Sequence, residues 1–122
     1  DTWMNKQREI LLVPFPFSDQ SGRKIRPALV LSNDLFNSSS DDLLVCAVTS
    51  NLKKADYSII IDKDNIESGI LYDKSAIKAD TILKIQKSIV IKTIATINTI
   101  TFSKVVKMVL KLVTPLDQNK NI

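Results

Sequence analysis

Only the last stretch of this sequence carries a helical period. Phe102, Val105, Val106, Val109, Leu112 and Val113 follow i, i+3, i+4, i+7 spacing, which sets them along one face of a helix. Asn98 or Thr99 can cap its start. Pro115 lies just past its end, where a helix cannot continue. Everything before it reads as short extended runs broken by polar turns. Without a helix between successive strands there is no βαβ unit, and a sheet of this kind is antiparallel.

The extended runs can be placed one by one. Glu9 to Phe17 is apolar and strand-like, but Pro14 and Pro16 cannot donate to a ladder, so this strand ends on an edge or bends. Ser18 to Lys24 is a loop in which Gly22 can take positive φ. Arg26 to Asn33 is a second strand with Pro27 at its start. Asp34 to Asp42, with its serine run, is expected to be a polar loop. Leu43 to Ser50 is almost wholly apolar and therefore central. Asn51 to Asp56 is a basic, polar connection, Tyr57 to Asp62 a fourth strand, and Asp64 to Gly69 a turn. Ser75 to Lys84 and part of Ile89 to Ile97 are further β segments, rich in Ile and Thr. Six short strands and one terminal helix give an α+β, mostly β chain: a small SH3-like antiparallel barrel with a C-terminal helix, in one domain over residues 1–122.

Histidine is absent. That removes His-based acid/base cleavage, Ser-His-Asp and Cys-His nucleophiles, and His-ligated metals. Any chemistry falls to Arg, Lys, carboxylates, hydroxyls or backbone, with no cofactor and no metal expected. A single cysteine allows no intrachain disulfide and fits a reducing compartment. No apolar run approaches the ~20 residues that span a bilayer. The expectation is a soluble, cytoplasmic protein with no membrane role. Lys and Arg number 17 against 13 Asp and Glu, a net charge of +4. A mild excess of this size suits a polyanionic partner and equally suits a solvated lysine surface. The distribution says more than the total. Only three cations are arginine, and two of them, Arg23 and Arg26, flank Lys24 in one short polar stretch. Arginine offers a flat bidentate fork for phosphate that lysine lacks.

Two stretches can carry chemistry. In Ser18 to Asn33 a flexible loop runs into a rigid strand, with Arg26 at the junction. Pro27 pushes Arg26 towards extended backbone and so fixes the direction of its side chain. On composition alone, an ordinary strand-end arginine explains the residue as well. In Ala47 to Asn51, Thr49 and Ser50 sit where an apolar strand surfaces. Hydroxyls there can donate to an anion, or simply end a strand. Asp62 to Glu67 is faintly like an oxygen-rich metal loop but lacks the spacing and glycine of an EF-hand, and reads as a solvated turn. Cys46 lies inside an apolar strand and reads as inert core.

Taken together, EILLVPFPFSDQSGRKIRPALVLSND, LLVCAVTSN and the later GILYDKSAIKADTILKI resemble the MazF/PemK-like toxins, from about Glu9 to the C-terminal helix. The resemblance implies a sequence-selective, metal-independent endoribonuclease. It acts on single-stranded RNA such as mRNA and leaves 2′,3′-cyclic phosphate and 5′-hydroxyl ends. It further implies a homodimer neutralised by a cognate antitoxin with an acidic tail that folds on binding. The family's catalytic pair falls on Arg26 and Thr49. The RNA-facing set falls on Ser18, Gln20, Arg23 and Lys24 of the first loop, on Asn33, and on Ser50, Asn51 and Lys53. PemK-like members add an Arg-x-Asp motif. The corresponding residues here are Lys78-Ala79-Asp80, so Asp80 matches as a catalytic candidate and Lys78 stands in for the arginine as an RNA contact. Asp19 is the carboxylate of the first loop and the candidate for the acidic base that some members place there. The family's usual glycine ahead of the first strand is Arg8 here, a change expected to matter little. Two rivals share the barrel: a non-catalytic SH3-like nucleic-acid-binding module, and a gyrase poison like CcdB.

Overall fold

The protein's computed structural model describes residues 5–15 and 24–117. It contains strands β1 (Glu9–Phe15), β2 (Lys24–Val30), β3 (Asp42–Thr49), β4 (Ser58–Ile61), β5 (Ile66–Gly69), β6 (Ser75–Gln86) and β7 (Lys92–Ile97). Helix α1 (Asp34–Ser39) joins β2 to β3, and helix α2 (Thr99–Val113) closes the chain. The seven strands form one sheet in the order β4-β6-β3-β2-β1-β7-β5. Every pairing is antiparallel.

Two apolar clusters lie on opposite faces of this sheet. Ile10, Leu29, Cys46 and Val48 belong to one; Leu11, Ala28, Val30, Val45 and Ala47 belong to the other. Successive residues of a strand face opposite ways, so β1 to β3 are buried on both sides, and their sequences are accordingly near-continuous apolar runs. The first cluster also gathers Ile61 of β4 and Ile97 of β7, which stand far apart in strand order. The sheet therefore curls until its ends share a core, as the sequence predicts. Phe102 and Val105 of α2 plug that core, and the Asn98 side chain caps the helix by accepting from Thr101 N at 2.9 Å.

β6 serves both faces through a bulge. Ala47 pairs with Lys78 but its neighbour Cys46 pairs with Ile82, so residues 79–81 have no counterpart on β3. Three extra residues invert the alternation. Ile77 joins the cluster of Ile10 and Leu29, and Ile85 the cluster of Leu11 and Val30.

Two segments differ from their sequence reading. Asp34 to Asp42 is not all loop, since Asp34–Ser39 forms α1. Asn33 caps that helix, its Oδ1 accepting from Phe36 N at 2.9 Å, and the buried Asn37 side chain donates to Asn5 O at 3.0 Å and Ser32 O at 2.9 Å. Ile66–Gly69, read as a turn, is the edge strand β5 paired with β7. The preceding turn is capped as expected of a solvated turn: Asp62 Oδ1 accepts from Asp64 N, and Asn65 Oδ1 accepts from Asp62 N, each at 2.9 Å.

Arg8 matters more than its sequence position suggests. Its φ is 80°, left-handed backbone that favours glycine. Its main chain donates to Val30 O and accepts from Ile97 N, and its guanidinium donates to Ile97 O at 2.8 Å and pairs with Glu67 at 3.1 Å. Arg8→Ala loses the side-chain bonds and keeps the strain, whereas Arg8→Gly loses the same bonds and releases it. Arg8→Gly is expected to be the more stable of the two by about 1 kcal/mol. Urea midpoints of the two variants check this, and equal midpoints count against it.

Candidate nucleic-acid interface

The β2–β3 ladder stops at Ala28, paired with Ala47. The residue before it is Pro27, which has no N–H to carry the ladder further. Both strands nevertheless continue, and extending their register by two residues brings Arg26 opposite Thr49. The two side chains line one cleft of about 420 Å³. Its polar wall also holds Ser50, Tyr72, Asp73 and Lys92; its floor is apolar, with Leu12, Val48 and Ile94. Arg26 is half-buried and makes no hydrogen bond or ion pair among the described residues. A half-buried guanidinium with free donors is a ready anion site.

Thr49 is also part of a second cleft, about 270 Å³, lined by Asn51, Lys53, Lys54, Ser58 and Lys78. Its Oγ1 accepts from Asn51 N at 3.1 Å, and Asn51 Oδ1 accepts from Lys53 N at 3.0 Å. These two turns shape the loop after β3. They leave the threonine hydroxyl's own proton free to donate. Thr49 thus stands between a cleft holding an unpaired arginine and a cleft walled by three lysines. That arrangement suits a chain of phosphates.

The remaining sequence candidates divide. Ser50 lines the first cleft, and Asn51, Lys53 and Lys78 line the second. Asn33 lines neither, its carboxamide being engaged at the N-cap of α1. Lys24 opens β2 beside Phe15 and also lines neither. Asp80 is exposed within the β6 bulge, outside both clefts, with Thr81 Oγ1 donating to it at 3.4 Å. The bulge is the reason: it breaks the alternation that would keep Lys78 and Asp80 on one face. Ser18, Asp19, Gln20 and Arg23 lie outside the described residues.

Cys46 is fully buried, and its thiol is pushed up to about 12 by that burial and, secondarily, by the charge of Asp80. It stays protonated and inert at neutral pH. Among the described residues no three His, Cys, Asp or Glu side chains converge as metal ligands, and no helix is long and apolar enough to cross a membrane.

A family model described as PemK-like, MazF-like toxin of type II toxin-antitoxin system matches residues 6–113. The chain belongs to that family. Among curated proteins none matches the sequence. Solved structures agree on the fold. An endoribonuclease from a mycobacterial species, in complex with its cognate antitoxin, superposes with a TM-score of 0.74 at 15% identity, over 92% of this chain and 98% of that one. MazF of Deinococcus radiodurans, in complex with MazE, gives 0.70 at 19%, over 92% and 97%. The Mycobacterium tuberculosis toxin MazF-mt6 gives 0.70 at 15%, over 85% and 94%.

Within this MazF-like barrel, sequence reasoning missed Tyr72, Asp73 and Lys92 of the first cleft and Lys54 and Ser58 of the second. The available signal for Tyr72 and Asp73 was an aromatic beside a carboxylate shortly after Gly69.

Proposed function

We propose that this chain is the toxin of a type II toxin-antitoxin pair and a metal-independent endoribonuclease that cuts single-stranded RNA. The observation that carries this reading is the unpaired Arg26 placed opposite Thr49 in a cleft that adjoins a lysine-lined one. The substrate's 2′-hydroxyl gives its proton to water as it bonds to the neighbouring phosphorus; the bond from phosphorus to the 5′-oxygen breaks, and that oxygen takes a proton from water to leave as a hydroxyl. Negative charge builds on the non-bridging oxygens. Arg26 holds them with its fork, and the Thr49 hydroxyl adds a neutral donor. Arginine gives up its proton reluctantly, so Arg26 acts mainly by electrostatics and orientation. Lys53, Lys54 and Lys78 follow the backbone away from the cut.

The partners of this reading are mRNA, a cognate antitoxin and a second copy of the chain, in the cytoplasm. The mycobacterial and Deinococcus relatives are each solved with an antitoxin. On this chain, Val106, Leu110 and Val113 of α2 leave an apolar stripe in solvent, which suits an interface.

The nucleophile belongs to the substrate and the charge is met by a side chain, so cleavage is expected to persist in excess EDTA. The products are expected to carry 2′,3′-cyclic phosphate and 5′-hydroxyl ends. End-group analysis of RNA incubated with the pure protein checks both. Activity lost on chelation and restored by magnesium, or 5′-phosphate ends, overturns the mechanism.

A further inference from the structure

The cleft that holds Arg26 has a feature that phosphate chemistry does not need. Tyr72 is 88% exposed, and Ile70 and Ile25 beside the same cleft are 57% and 53% exposed. Asp73 brings a carboxylate into a cleft whose other charged side chains, Arg26 and Lys92, are cations. Neither Tyr72 nor Asp73 makes a side-chain hydrogen bond among the described residues, and Asp73 is fixed through its main chain, its carbonyl accepting from Ser75 Oγ at 2.9 Å. An exposed aromatic in a cleft that also has apolar lining is a surface for stacking a base. A carboxylate facing RNA repels phosphate, so its favourable contact is with the N–H edge of a base, which it can only accept from.

We propose that Tyr72 and Asp73 form a base-reading subsite beside the scissile phosphate: Tyr72 stacks a nucleobase and Asp73 selects guanine. The proposal rests on the ribonuclease reading above and names what that reading leaves open. Guanine presents two adjacent N–H donors, N1–H and N2–H, on its Watson–Crick edge, and a carboxylate accepts both in parallel. Uracil, cytosine and adenine offer no such pair. The subsite is therefore specificity-determining, while Arg26 and Thr49 act on whatever phosphate it positions.

The test has two arms. In the first, a pool of short random RNAs is cut and the product 5′ ends are sequenced. Wild-type cuts are expected to share guanosine at one fixed position near the break. Tyr72→Ala is expected to raise KM roughly 5- to 100-fold, and Tyr72→Phe, which keeps the stacking ring, to raise it far less. Asp73→Asn is expected to weaken the guanosine preference roughly tenfold or more while cutting continues. Wild-type profiles and KM in both Tyr72→Ala and Asp73→Asn overturn the proposal. So does loss of all cleavage in Asp73→Asn, which makes it a proton-transfer group instead. In the second arm, fluorescein-labelled oligouridylate with and without one central guanosine is bound to proteins carrying Arg26→Ala. If the wild-type chain cuts no RNA, the ribonuclease reading fails by itself and this arm decides the subsite. Tighter binding of the guanosine probe, lost on Tyr72→Ala and Asp73→Asn, keeps it; equal binding of both probes removes it.

Discussion

Arg26→Ala is expected to abolish RNA cleavage while leaving the fold intact. The side chain sits past the end of the β2–β3 ladder, half-buried and unpaired among the described residues. Truncating it opens no core cavity and strands no buried partner. Its loss removes a bidentate cation from the developing charge, on the order of 10²–10³ in kcat/KM or more, as for one oxyanion donor. Arg26→Lys is expected to rescue poorly, because a point charge cannot reproduce the fork. Thr49→Val keeps volume and branching and deletes the donor, so it lowers turnover more than RNA binding. It also removes the acceptor for Asn51 N, so Thr49→Ser, which keeps the hydroxyl, is the companion that separates chemistry from loop shape. Steady-state cleavage beside circular-dichroism melts reads all four variants. If Arg26→Ala cuts at the wild-type rate, the assignment fails and a non-catalytic RNA-binding module becomes the better account.

What the sequence makes legible depends on where order comes from. β1 to β3 announce themselves because burial on both faces demands unbroken apolar runs, and α2 because one face alone is buried and the period survives. Arg26 and Thr49 each stand where such a run meets solvent, which fits an ordinary strand end as well, and the family resemblance is what singles them out as candidates. α1 is illegible because its six residues, DLFNSS, carry no apolar stripe. It exists through the Asn33 cap and the buried amide of Asn37, whose partners Asn5 and Ser32 are distant or outside the helix. β5 is four residues long and mostly exposed, and only its pairing with β7 makes it a strand. The β6 bulge leaves no mark in composition, yet it separates Asp80 from Lys78 and so decides which of the two reaches a cleft. Arg8 shows the opposite case: a lone substitution for glycine looks harmless in sequence, and its φ of 80° reveals strain held in place by Ile97 and Glu67.

Gly69→Ala is expected to be the most damaging single-methyl change in the described residues. Gly69 closes β5 with φ +81°, a conformation that costs an L-residue about 1–2 kcal/mol. An added Cβ would lie 2.6 Å from Ala95 Cα and 3.0 Å from Ile94 C, and nearer still to the Ile94 carbonyl oxygen. All three are main-chain atoms of β7, so no side chain can swing away. Overpacking of this kind adds about 1–3 kcal/mol. The strand must part from its neighbour where Gly69 pairs with Ala95 and Ile70 N donates to Ile94 O at 3.1 Å. Together the terms lower the melting temperature by on the order of 10 °C. The damage does not stop at stability. Ile70 to Asp73 follow directly and line the same cleft as Arg26, so a displaced β5 end moves that part of its lining. Well below its melting point, Gly69→Ala is therefore expected to show a raised KM for RNA. Ser68→Ala, at an exposed neighbour in the same strand, leaves both melting and KM near wild type. An unchanged melting temperature in Gly69→Ala would mean that β7 yields to the methyl group, and the β5–β7 edge would then be too pliant to hold Tyr72 and Asp73 in place.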